Sequence, residues 1–236
     1  LDGLDDSHRY IIPDLIGFGF SEKVNLNEHS LEAHSRWMAK FFSTIKEEKI
    51  GLVVHDWGGM IGIAGAMKAG KKIDGLVVMN TAITAPKDGF KPTWFHSLSQ
   101  LPLISSFLFR GLNFPLSFLN RFASVPGSFN SEAMKAYKYP LRKFKNNCGP
   151  LALARMVPNS MHHPSVPIEQ EIETYLGSYD GPAQIVWGMN DPVMWKLRRR
   201  TSRLLPQAKV VKTQAGHFVQ EETPAEVITA IKEVFK

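Results

Sequence analysis

The apolar positions of this 236-residue chain change their spacing twice. In the first part, short continuous runs alternate with helical spacing. Arg9–Pro13 (RYIIP) is expected as a short buried strand, β-branched and closed by proline. Asp14–Ser21 is a glycine-rich loop. Ser30 is the expected N-cap of a helix to about Ile45, with Leu31, His34, Trp37, Met38, Phe41 and Phe42 at helical spacing. Gly51–Val54 is a continuous apolar run, as in a strand covered on both faces. His55–Gly59 then reads as a turn, Met60–Ala69 as a helix and Ile73–Met79 as another buried strand. Strands alternating with helices build βαβ units and a mostly parallel sheet.

From about Ala85 to Tyr179 the strand signals stop, and proline, phenylalanine and short helical runs such as Leu101–Leu119 take over. The α/β pattern returns with a strand at Ala183–Trp187, a turn at Gly188–Pro192 and a basic helix to about Leu205. A last strand, Lys209–Thr213, leads into the loop Gln214–His217. Thr223-Pro224-Ala225-Glu226 reads as a capping box with proline at the first position of a final helix. The expected organisation is an α/β core over 1–84 and 181–236, interrupted by a helical cap over 85–180.

Composition narrows the function classes. With 44% hydrophobic and 21% charged residues the chain is an ordinary folded one, not a disordered one. No apolar run reaches the roughly 20 residues that span a bilayer, so no membrane partner is expected. The single cysteine, Cys148, excludes an internal disulfide and a cysteine-based zinc cage, and suits the cytoplasm. The net charge of +6 raises nucleic acid as a partner. The basic residues are scattered, however, and the clusters Arg142–Lys145 and Arg198–Arg200 are short. They are read as solvated faces, without a nucleic-acid partner.

Ligands of open α/β sheets bind at the C-terminal ends of the strands. Three candidates fall there: Asp56, Asp191 and His217. Asp56 stands between strand and helix in Val54-His55-Asp56-Trp57-Gly58-Gly59, a nucleophile elbow with aspartate in place of serine. The chain order nucleophile, acid, histidine is that of the α/β-hydrolase fold. The pair His162-His163 has no third ligand at suitable spacing, so no metal is expected. Gly17-Phe18-Gly19 has Glu22 where a dinucleotide loop needs a third glycine, and no cofactor is expected.

The stretch Val53–Gly62 around HDWGG resembles the nucleophile region of the haloalkane dehalogenases. Pro13–Ser21 is similar to their PDxxGxGxS loop, and Ala215–Glu222 to their histidine segment. The acid after the seventh family strand, at Asp191, together with the cap stretch from Trp94 to Asn113, resembles the third branch. That branch also contains the β-lactone decarboxylases of olefin biosynthesis. Epoxide hydrolases share HDWGG and usually need two cap tyrosines, for which Tyr137, Tyr139, Tyr175 and Tyr179 are available.

The resemblance implies a covalent mechanism. Asp56 attacks a carbon, halide leaves, and His217, oriented by Asp191, activates water against the resulting ester. Trp57 is then the indole donor to halide and Trp94 a candidate second donor. A cap–core pocket lined by aromatics such as Phe90 and Phe95 would take a small hydrophobic substrate and water; oligomeric state is open. A rival of a different class is a degenerate, non-catalytic α/β-hydrolase module. The family's sheet has eight strands, and an HGxP loop follows its third. No HGxP occurs here and the chain does not open on methionine, so the expectation is that it starts at the fourth strand and lacks those before it.

Overall fold

The computed structural model describes residues 3–4, 6–125 and 131–236. Four strands, β1 (Lys49–His55), β2 (Lys72–Met79), β3 (Ala183–Gly188) and β4 (Lys209–Thr213), pair in chain order, all parallel. Helices α1 (Leu31–Ser43) and α2 (Trp57–Lys68) flank β1. Between β2 and β3 the regular structure is helical: α3 (Trp94–Ser99), a π-helical turn (Ser106–Gly111), α4 (Phe114–Phe122), α5 (Ser131–Lys138), α6 (Gly149–Met156) and α7 (Val166–Gly177). After β3 come α8 (Arg198–Leu204), α9 (Val219–Glu222) and α10 (Pro224–Val234).

The strand residues sort by parity, as side chains alternate across a sheet. Leu76 and Val78 face a large core with α1, α2 and α7; Val77 and Met79 face a second with α9 and α10. Both faces of β2 are thus buried, which explains its unbroken apolar run. β1 differs. Leu52 and Val54 are buried, but Val53 is 42% exposed, so its apolar run does not signal two covered faces among the described residues.

Arg9–Pro13 forms no strand. A strand exists by its ladder, and among the described residues the outer edge of β1 carries no pairing partner. Ile12 is 73% exposed there, and the segment is held at Arg9 by a 3.2 Å contact to Glu47. Two helix ends also depart from expectation. Ser30 caps α1 as expected, accepting from the Ala33 N–H at 3.0 Å. Thr223 makes no capping bond; its hydroxyl donates instead to the Val219 carbonyl of the preceding short helix. The turn after β1 is tighter than read, since α2 begins at Trp57 and leaves Asp56 alone between strand and helix.

Candidate active site

Parallel pairing carries every strand end to one edge. His55 lies opposite Met79, Met79 opposite Val186, and Gly188 opposite Thr213. The residues that follow, Asp56, Asn80, Asp191 and His217, are thereby gathered from across the sequence.

Asp56 has φ 47° and ψ −129°, a conformation that side-chain-bearing residues adopt at a cost of about 1–3 kcal/mol. Its surroundings hold it there. Its N–H donates to the Asn80 carbonyl at 3.1 Å and its carbonyl accepts from the Thr81 hydroxyl at 2.5 Å. Gly59 makes that approach possible: a Cβ there would stand 2.1 Å from Thr81 Oγ1. Gly59→Ala is therefore expected to destabilise the protein by about 1–3 kcal/mol and to disturb the Asp56 turn, read as a lower melting temperature with reduced turnover.

Asp191 is buried, and both of its oxygens are used. Oδ1 accepts from the N–H groups of Val193 (2.7 Å) and Met194 (3.1 Å). Oδ2 accepts from Asn80 Nδ2 and from His217 Nδ1, both at 2.8 Å. Donation from Nδ1 leaves Nε2 of a neutral His217 ring as its acceptor. Burial alone would raise the Asp191 pKa, but the His217 hydrogen bond and charge, with Asn80 and the Val193 N–H, hold it below the ordinary carboxylate value. For His217, burial pushes the other way, and Asp191, Asp56 and Glu222 together raise its pKa above 6.5. The signs for folding follow. The Asp191 contribution is full above its unfolded pKa near 3.8 and is lost as pH falls through the depressed folded value. The His217 contribution is full below 6.5 and is lost as pH rises through the elevated folded value.

Asn80 carries no local signal of a role in the sequence. Fully buried at φ 23°, it accepts from the Asp56 N–H through its carbonyl. Its side chain donates to Asp191 Oδ2 and to the Gly188 carbonyl (3.1 Å), and accepts from the Gly188 N–H (2.8 Å). One residue thus ties the aspartate turn to the acid loop. Gly188 allows it, because a Cβ there would meet the Gly216 carbonyl at 2.2 Å. The histidine loop is anchored from the helical segment: the His217 N–H donates to Ala123 O at 2.5 Å, and Glu222 accepts from Val125 and Gly216. His55 packs behind, donating from Nε2 to the His217 carbonyl at 2.7 Å. Burial, with the nearby His217, lowers its pKa to about 4, which keeps it neutral.

The remaining candidates are placed less centrally. Trp57, half-buried at the start of α2, packs on the main core. Trp94 is 61% exposed and edge-on to Phe95 and Phe118. Of the two rings expected to line a pocket, Phe90 is exposed and Phe95 joins a ring cluster with Phe109, Phe114 and Phe118. A cavity of about 220 Å³ lies between Pro92, His96, Ser97, Gln100, Val157 and Asn159. His96 was also missed. Burial lowers its pKa, with the Asp56 carboxylate acting in the opposite direction. His163 is occupied by the Arg155 carbonyl and the Ser165 N–H, and no cluster suited to a metal occurs among the described residues.

An aspartate at a strained strand–helix turn, beside a histidine–aspartate pair on neighbouring strand ends, defines a hydrolase-type α/β architecture. The α/β hydrolase fold profile matches residues 1–224. The chain belongs to this family and is an enzyme of its kind, with haloalkane dehalogenases and lactone decarboxylases among its relatives. Haloalkane dehalogenase 1 of Mycobacterium tuberculosis is 29% identical over 224 residues, covering 93% of this chain and 72% of the relative. A cis-3-alkyl-4-alkyloxetan-2-one decarboxylase of Shewanella oneidensis is 28% identical over 238 residues, covering 98% and 75%. The haloalkane dehalogenase DatA of Agrobacterium tumefaciens has the same fold, with a TM-score of 0.79 at 20% identity over 93% of this chain and 77% of DatA.

Proposed function

We propose that this enzyme cleaves carbon–halogen bonds of small haloalkanes through a covalent ester on Asp56. The observation that carries this is the 2.8 Å Asp191–His217 pair at the same sheet edge as the isolated, strained Asp56. A carboxylate with an ordinary pKa of about 4 is ionised at neutral pH and needs no base to attack. Its attack on an sp³ carbon forms the carbon–oxygen bond as the carbon–halogen bond breaks, and halide leaves with the electron pair. Trp57 is the donor assigned to that halide, with Trp94 the candidate on the cap side. In the second step His217 takes a proton from water at Nε2 and the hydroxyl adds to the ester carbonyl; the bond to the alkoxide then breaks, the alkoxide takes the proton from His217 and leaves as the alcohol, and Asp56 loses its acid proton to water and is regenerated as the carboxylate. Asp191 stabilises the charged ring. The N–H groups free at the start of α2 suit the oxyanion of that step. No step calls for a metal or cofactor. Residues 85–180 act as the cap that shapes the substrate site.

The same residues serve a second reading, favoured by the decarboxylase relatives: opening of a β-lactone on Asp56, which releases no halide. Epoxide opening fits less well. Tyr137 donates to Glu221 and Tyr179 to the Pro182 carbonyl, while Tyr139 lies exposed under Arg142. The deciding experiment is an activity panel of haloalkanes, β-lactones and epoxides, with halide and organic products followed separately. Halide release from haloalkanes supports the first reading; turnover of lactones alone transfers the enzyme to the second. The hydrolytic step needs neutral His217. Its rate is expected to fall as pH drops through the histidine pKa, which the Asp191 hydrogen bond and charge raise; the charge of Asp56, which also raises it in the free enzyme, is absent in the ester. Single-turnover decay of the ester across pH measures it.

A further inference from the structure

The charge of this protein is not spread evenly. Between Gly89 and Ile168 stand nine lysines and arginines against one acid, Glu132, a net of +8 in a chain whose total is +6. The same third of the sequence holds ten of the fifteen exposed large apolar side chains among the described residues. Their densest group is the segment Leu101, Leu103, Ile104, Phe107 and Leu112, with Leu103 85% and Phe107 62% exposed. Leu103 also has φ 60°, a conformation that glycine or asparagine takes with less strain. An aliphatic side chain in that conformation, turned to solvent, contributes nothing to the core.

Beside this tip lies the basic run Arg142-Lys143-Phe144-Lys145. The two are joined where the Arg110 guanidinium covers the Phe144 ring at 4.1 Å, and the π-helical turn packs on the Phe144–Asn146 turn. Arg142, Lys143 and Lys145 are exposed, and among the described residues no carboxylate pairs with them. We propose that this face of the helical segment docks on an anionic lipid surface. The tip at Leu101–Phe107 enters the headgroup–acyl boundary, and Arg142, Lys143 and Lys145 meet the lipid phosphates.

Exposed apolar side chains beside uncompensated cations are the pattern that binds an anionic bilayer interface, combining buried apolar area with attraction to the headgroups. The charge of Arg142, Lys143 and Lys145 complements phosphate but not a second copy of the same basic face. Nucleic acid would use the cations and leave Leu103 and Ile104 without a role. No helix among the described residues is long and apolar enough to cross a membrane, so the association is peripheral.

The test is flotation of the full chain with vesicles of phosphatidylcholine alone and with added phosphatidylglycerol, at low and high salt. Binding is expected only to the anionic vesicles, and to weaken with salt. Leu103→Asn with Phe107→Ser removes the apolar tip, the first change in a residue type its backbone favours. Arg142→Glu, Lys143→Glu and Lys145→Glu together reverse the charge. Each set is expected to lower binding about tenfold or more, with the melting temperature unchanged. Folded wild-type protein that stays free of anionic vesicles overturns the proposal. So does equal, salt-insensitive binding to phosphatidylcholine, or an oligomer in solution that the Leu103/Phe107 variant dissociates. Retained binding by the charge-reversed variant, whose changed positions are all exposed, also overturns it.

Discussion

Replacing His217 with phenylalanine is expected to stop turnover while leaving the first chemical step running. Under the proposed mechanism the attack by Asp56 calls for no base, so loss of His217 does not slow it in kind, whereas hydrolysis of the ester needs a base at that position. Phenylalanine fills the ring volume, but removes the Nδ1 donor to Asp191 and the Nε2 acceptor for water. Steady-state turnover should fall on the order of 10⁴-fold or more, the scale seen when a nucleophile–base unit loses its base. One equivalent of halide per site should still appear in a burst. Mass spectrometry should find the alkyl group on the peptide containing Asp56. Repeated halide turnover without that adduct would sink the covalent-aspartate mechanism. An adduct from a β-lactone, with no halide involved, would keep Asp56 and move the enzyme to the decarboxylase reading.

Asp56→Asn is expected to remove both steps. The amide is nearly the same shape as the carboxylate, but neutral and a poor nucleophile. Neither a burst nor an adduct should form, and turnover should drop by about 10⁴-fold or more. Folding should survive. Asparagine accepts a positive φ as well as aspartate does, and the contacts that fix the turn, to Asn80 and Thr81, are made by the Asp56 backbone. An unchanged melting temperature with lost chemistry separates catalysis from stability. An unchanged first-step rate would show that Asp56 is not the attacking group.

The contrast between these residues and their neighbours reflects how far each feature depends on distant parts of the chain. Asp56, Asp191 and His217 could be located from sequence because each follows a short apolar run, and the runs are local signals. Asn80 could not. Nothing in Met79-Asn80-Thr81 distinguishes a buried bridge from a solvated turn; its role exists only once β3 lies beside β2 and brings Gly188 and Asp191 within reach. His96 is a similar case, since its relation to Asp56 depends on where the helices between β2 and β3 come to rest.

The sequence by itself determined the parallel α/β architecture, the helical interruption, the strand–aspartate–helix turn and the order of the three polar residues. Periodicity and turn chemistry are written over a few residues at a time. Tertiary structure decided what depends on a partner. Arg9–Pro13 has strand composition but forms no ladder. Thr223 has the capping residues around it, yet its hydroxyl turns to Val219. The charges and apolar side chains between Gly89 and Ile168 look scattered in a line of letters. In the fold Phe95, Phe109, Phe114 and Phe118 gather into one cluster, while Leu103, Phe107, Arg142, Lys143 and Lys145 face solvent. Which side chains face solvent is settled by long-range packing, and no local pattern carries that information.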